Sequence, residues 1–177
     1  MIAAMRRLFL ALWPDDAARE AIVAVRDAAA WPAGATLTAA EDLHVTLHFL
    51  GAVPEARVAD VADAARVGVT PFELQAGVPT TWHGGIAVLD CGPPGDALAA
   101  LHRRVGARLE AALADLGWHT DVRPYRPHVT LARKAGGVVW GGGDAASATV
   151  PSPAWQVRDL CLAESAGGRY TVLERFT

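Results

Sequence analysis

Four residues occur twice in this chain: His44-Val45-Thr46-Leu47 returns as His128-Val129-Thr130-Leu131, 84 positions later. Each copy follows a loop and sits in an apolar run of strand length. Side chains alternate across a strand with a period of two. The period therefore predicts that Val45, Leu47 and Phe49 share a core face, and that His44 and Thr46 share the other. The second copy divides the same way, with Val129 and Leu131 inward and His128 and Thr130 together. Two such strands facing one groove would present two imidazoles and two hydroxyls from rigid backbone. Imidazole, with an ordinary pKa near ~6.5, serves as acid and as base near neutrality. Hydroxyls at the same place would donate to the non-bridging oxygens of a phosphate as charge develops there.

The rest of the pattern is mixed. Strands are predicted at residues 7–12, 36–38, 43–50, 72–76, 86–91, 128–133, 157–164 and 169–175. Gly51 is expected to close the strand of the first motif, and Gly167-Gly168 to turn the last hairpin. Helices are predicted from Asp15 to about Ala30, from Pro54 to about Arg66, and from Asp96 to Leu116, the last ended by Gly117. Gly136 to Gly143 reads as a mobile loop. Hairpins outnumber crossover units, so the expected class is α+β with antiparallel sheet. No glycine-rich phosphate loop stands between a strand and a helix, and none of the usual serine-nucleophile motifs is present.

Composition narrows the chemistry further. The chain is 52% hydrophobic and 20% charged, the balance of a globular protein, and no apolar run approaches the ~20 residues of a membrane helix. Arg6 and Arg7 precede a short apolar stretch, but Trp13-Pro14-Asp15-Asp16 follows without a cleavage site, so the expected location is cytoplasmic. Cys91 and Cys161, the only cysteines, stand apart and read as reduced core residues. His48 shares strand parity with His44, but ~13 Å of extended chain separates them, too far for one tetrahedral ion. Neither a metal nor another cofactor is expected. Net charge is −3 overall, yet residues 101–134 hold seven basic and three acidic side chains. That zone suits one anionic group or a short strand better than a long duplex. Arg103, Arg104 and Arg108 taken alone read equally well as a solvated helix face.

With these residues in place, the chain resembles the two-histidine phosphoesterase superfamily, which carries two H-x-T/S-x-hydrophobic motifs in pseudo-symmetric lobes. It is most similar to the RNA 2′,3′-cyclic phosphodiesterases once called 2′-5′ RNA ligases. The likeness spans nearly the whole sequence, from Arg7-Leu8-Phe9-Leu10-Ala11-Leu12 through Glu41–Gly51, Pro71-Phe72 and Arg123–Arg133 to Leu162-Ala163-Glu164-Ser165 and Tyr170. It implies a single two-lobed domain over residues 1–177, with a pseudo-twofold pair of antiparallel sheets, helices packed outside and a central groove. It also implies metal-free hydrolysis of a 2′,3′-cyclic phosphate at an RNA end to a 2′-phosphate, with 2′-5′ joining as the reverse reaction.

By the family pattern His44 is the acid for the 3′ oxygen and His128 the base for water, although motif symmetry leaves the roles exchangeable. Arg133 and Phe49, each five residues after a motif histidine, correspond to a phosphate ligand and a base-stacking ring. Their odd spacing turns them away from the groove unless the strands bulge or end first. Tyr125 and Arg126 are candidates for base and phosphate contact, and His48 for the groove wall. His83, His102 and His119 are expected on the surface, while Trp82 and His83 fall where relatives vary and bear on substrate preference. The expected partner is an RNA with a cyclic phosphate end, tRNA fragments included, bound by a monomer. Alternatives are an esterase for cyclic nucleotides or ADP-ribose cyclic phosphate, a non-catalytic RNA-end binder, and a metallohydrolase lacking a visible ligand set.

Overall fold

The computed structural model describes residues 4–140 and 152–177. Its strands are β1 (Met5–Leu12), β2 (Thr36–Leu37), β3 (Val45–Pro54), β4 (Phe72–Gln75), β5 (Val78–Trp82), β6 (Ile86–Asp90), β7 (His128–Arg133), β8 (Ala154–Val157), β9 (Leu160–Ala166) and β10 (Arg169–Phe176). Three α-helices are described: α1 (Asp16–Asp27), α2 (Val58–Ala65) and α3 (Asp96–Ala112). Asp15 caps α1 by accepting from the Ala18 N–H at 2.9 Å, as a short acidic side chain does at a helix start.

Strands pair in the order β10-β9-β1-β3-β7-β6-β5, with β2 also on β7, while β4 and β8 form a separate two-stranded sheet. Each of these pairings is antiparallel, so the α+β class stands. The large sheet consists of two arms joined by one residue pair, Val45 opposite Val129. Each motif strand borders that seam. One face is covered by α-helices over a core containing Leu8, Leu10, Leu12, Val45, Val129, Leu98, Leu101 and Leu109. The opposite face carries Phe9, Ala11 and Ala163, with Trp13 and Tyr170 packed on them.

Several elements depart from the sequence pattern. Residues 78–82, read as a connection, form β5, with Val78 opposite Asp90 and Trp82 opposite Ile86. The expected strand at 157–164 is two strands in different sheets, since β8 pairs β4 and β9 pairs β1 and β10. Gly51 does not end β3. It sits inside the strand at φ 74° beside a register shift against β1. Pro54 belongs to β3, and a 3₁₀ turn over Glu55–Arg57 precedes α2. Within the loop expected to be mobile, Val139 exchanges backbone hydrogen bonds with Ala30 at 2.8 and 3.1 Å, and Trp140 meets Trp31 edge-on. Residues 141–143 of that loop lie outside the described residues.

The basic zone does not gather into one patch. Arg108 donates to the carbonyls of Asp63 and Ala64 at 2.7 and 3.0 Å, and Arg104 to Gly68 at 2.6 Å. Arg108 thus clasps the C-terminal end of α2, where carbonyls lack helical partners, and Arg104 the turn that follows it. Among the described residues, no helix is long and apolar enough to cross a membrane.

Candidate active site

The Val45–Val129 pair sets the geometry of the site. Both valines are fully buried on the core face, so their strand neighbours point the other way. Antiparallel pairing then sets His44 across from Thr130 and Thr46 across from His128, around a local two-fold through the valines. All four side chains line one open cavity of about 220 Å³, together with Arg7, Phe49, Arg133 and Tyr170. His44 and His128 therefore share an anion-sized space.

Each histidine is aimed by the same device. His44 Nδ1 donates to the carbonyl of Asp42 at 2.7 Å, and His128 Nδ1 donates to the carbonyl of Arg126 at 2.7 Å. A carbonyl only accepts, so Nδ1 carries the hydrogen in both rings and Nε2 is left with a lone pair. The Thr46 hydroxyl donates to His44 Nε2 at 3.1 Å. For His44 the carbonyl is presented by a 3₁₀ turn over Ala40–Asp42. For His128 it is held between Pro124 and Pro127, with the Pro127 carbonyl tied to the Cys91 N–H at 3.0 Å.

Both leucines of the repeated tetrapeptide are bulges. On β3, Thr46 faces Ala11 while His48 faces Leu10, which leaves Leu47 as the extra residue. On β7, Thr130 faces Val88 while Ala132 faces Ala87, which leaves Leu131. A bulge inserts one residue and inverts the parity beyond it. Phe49 and Arg133 are consequently turned to the cavity despite the odd spacing. The same inversion corrects the expectation for His48. It shares no face with His44; it is only 4% exposed on the helix side, where Nε2 donates to the His102 carbonyl at 2.9 Å.

His102, expected on the surface, is only partly exposed. Its ring stacks on His48 at 4.2 Å and on Tyr125 at 4.2 Å, both nearly parallel. The Tyr125 hydroxyl donates to the Thr46 carbonyl at 3.0 Å. Tyr125 thus braces the loop before His128 against the strand of His44, and it does not line the cavity that holds the two histidines. Arg126 pairs with Asp90 at 2.6 Å and lies over the Trp82 ring at 4.5 Å, so it too stands outside that cavity. His83 and His119 are exposed, as expected.

Surroundings make the two imidazoles unequal. His44 lies among Phe9 (5.0 Å), Trp13 (stacked, 4.9 Å) and Tyr170 (edge-on, 5.2 Å). Burial among these rings drives its pKa down to about 4; the Asp42 carbonyl opposes the shift and the nearby His128 adds to it. Burial also lowers His128, against the Arg126 carbonyl and Asp90, which favour its charged form. Trp82 lies 4.4 Å from the His128 ring. Arg7 was missed from sequence, where it opened a strand read as wholly buried. Alternation with Leu8 places it on the cavity face, its guanidinium 4.7 Å over the Phe49 ring. Among the described residues, no group of three or more His, Cys, Asp or Glu side chains forms a metal-ligand set.

The fold and this paired-histidine seam define a class, and comparison with known proteins supplies the same one. A solved structure described as a phosphoesterase superposes with TM-score 0.77 at 27% identity, covering 98% of each chain. E. coli LigT superposes at 0.75 in its apo form, at 27% identity over 97% of this chain and 96% of LigT. Its complex with 3′-AMP superposes at 0.76, with 27% identity and 98% coverage of both. The RNA 2′,3′-cyclic phosphodiesterase of Geobacillus stearothermophilus is 34% identical over a 108-residue alignment that covers 53% of this chain and only 31% of that longer protein. The family model described as the 2′-5′ RNA ligase superfamily matches residues 13–169. This chain belongs to the 2′-5′ RNA ligase superfamily of two-histidine phosphoesterases. That membership supports a phosphoesterase activity.

Proposed function

We propose that this chain hydrolyses 2′,3′-cyclic phosphates at RNA ends to 2′-phosphates, with His44 and His128 as the acid–base pair. The observation that carries the reading is the Val45–Val129 seam, which turns both imidazoles, both threonine hydroxyls and Arg133 toward one small cavity. Water attacks phosphorus opposite the 3′ oxygen, and the Nε2 of one histidine takes its proton as the new P–O bond forms. The P–O3′ bond breaks, and O3′ takes a proton from Nε2 of the other histidine. The two rings have then exchanged protonation states, and solvent resets them. Thr130 and Arg133 donate to the non-bridging oxygens, and the Thr46 hydroxyl joins them by turning from His44 Nε2. Tyr125 and Arg126 act from the loop that positions His128, and Phe49 offers a ring for the terminal base.

Family pattern makes His44 the acid, but the unequal surroundings support the opposite assignment. His44, held to about 4 by burial, favours the neutral acceptor. Burial lowers His128 as well; Asp90, its cross-strand neighbour, opposes that shift, while the Arg126 and Arg133 guanidinium groups add to it. A bridging 3′-sulfur leaving group needs no acid, so it separates the two roles: it restores turnover to H128A and not to H44A if this assignment holds.

The test of the function itself is turnover of a dinucleotide 2′,3′-cyclic phosphate in EDTA, with the product read by ³¹P NMR. A 2′-phosphate formed at an undiminished rate is expected. A 3′-phosphate product, or loss of activity in chelator, contradicts the reading. Superfamily membership and the curated relative's name support it as well.

A further inference from the structure

The histidine cavity, about 220 Å³, is the size of a phosphate and the sugar edge that bears it. Across Thr46, Phe49 and His128 it opens into a second depression of about 900 Å³, the upper end of ordinary ligand pockets at roughly 300–1,000 Å³. Phe49 stands at the joint with 52% of its surface exposed. Trp118, from the turn after α3, is fastened just beyond it, since the indole N–H donates to the Phe49 carbonyl at 3.4 Å. Trp118 is half-buried: it packs on the core, with the His48 ring edge-on at 6.0 Å, and also lines the depression. Trp82 and Tyr125 wall the same space, but both are engaged: Trp82 by Arg126 and His128, Tyr125 by His102.

The charges here are also engaged. Arg123 pairs with Asp121 at 2.5 Å and Arg126 with Asp90 at 2.6 Å. A phosphate finds no unpaired guanidinium among the described residues of this groove, whereas a flat uncharged ring finds aromatic walls. We propose that the groove seats the nucleobase adjacent to the cyclic terminus, with Trp118 as its stacking platform. The substrate is then an RNA end of at least two nucleotides, not a free cyclic mononucleotide. This rests on the function proposed above, and it adds which part of the RNA is read and where.

The experiment compares a dinucleotide bearing a 2′,3′-cyclic end with the matching nucleoside 2′,3′-cyclic phosphate. Stacking is worth about 1–3 kcal/mol per base, so kcat/KM is expected to favour the dinucleotide about tenfold, through KM. Trp118→Ala removes that ratio and Trp118→Phe keeps most of it. No preference in the unmodified protein, or equal loss on both substrates in W118A, overturns the proposal. A second arm needs no turnover: titration with a dinucleotide 3′-phosphate by calorimetry, where W118A is expected to bind about tenfold more weakly. Equal binding by the two proteins sinks the groove. Unequal binding without hydrolysis of either cyclic substrate keeps the groove and sinks the proposed activity.

Discussion

The first motif strand and the second share a backbone and differ in almost everything around it. In both, a histidine Nδ1 donates to a carbonyl two residues back at 2.7 Å, and in both the motif leucine is a bulge. Around that common frame, His44 sits in an aromatic box while His128 has Asp90 and Trp82 at its side. Five residues on, one strand offers Phe49 and the other Arg133 to the same cavity. The shared part fixes both imidazoles on the wall of one cavity. In the proposed reaction, the unshared part tells the two ends of the substrate apart, with a ring on one side and a cation on the other.

The largest effect tests the shared part. His44→Ala and His128→Ala are each expected to lower kcat/KM by about 10³, and the double variant is expected to be little worse than either single one, because the pair acts on one phosphorus. Steady-state kinetics on a cyclic-ended dinucleotide measure this. Additive losses would mean that the strands act independently. Next comes the asymmetry at the fifth residue. Arg133→Met removes a charged donor and is expected to cost about 100-fold, while Phe49→Ala, which removes a stacking ring, costs about tenfold. Arg133 losses should shrink at high salt and Phe49 losses should not. The reverse ranking would break the division between phosphate side and base side.

A smaller effect concerns the brace between the strands. A Cβ on Gly106 would stand 3.1 Å from His48 Cε1 and 3.3 Å from Thr120 Oγ1. His48 is clamped by its bond to the His102 carbonyl and cannot yield. Gly106→Ala is therefore expected to destabilise by about 1 kcal/mol, although alanine normally gains about 1 kcal/mol over glycine inside a helix. A raised melting temperature would show that the ring stack is loose.

The smallest effect is acid sensitivity. Burial, with His48 and Arg103 adding to it, lowers His102 to about 4. Between the unfolded value near 6.5 and about 4, the unfolded chain binds a proton that the folded chain refuses, so stability falls as pH drops through that window. His102→Phe keeps a stacking ring without a titrating group. It is expected to flatten the fall in Tm between pH 7 and pH 5, and an unchanged slope would contradict this.

Much of the fold was legible from residue order. The repeated tetrapeptide, the capping Asp15, the αL Gly117 after the last turn of the α3 region and the Gly167-Gly168 hairpin all carry local signals that the structure keeps. The bulges were not legible, because Leu47 and Leu131 are ordinary strand residues and register is decided by the partner strand. Parity beyond them was therefore misread for His48, and Phe49 and Arg133 were left undecided. His102 had a fainter signal. It lies next to Leu101 and three before Val105 on the buried stripe of α3, and Gly106 four residues on leaves a gap on that same column. A glycine on a helix stripe often marks such a close approach. The break at Val157–Leu160 had no local mark, since an apolar run does not say which sheet its halves will join.

One measurement reaches the central claim directly: NMR titration of the two motif imidazoles with inorganic phosphate. A single equivalent is expected to move the Nε2 and Cε1 signals of His44 and His128 together, with one dissociation constant and an upward shift of both pKa values. Movement of only one ring, or two separate binding events, would contradict two histidines acting on one phosphorus.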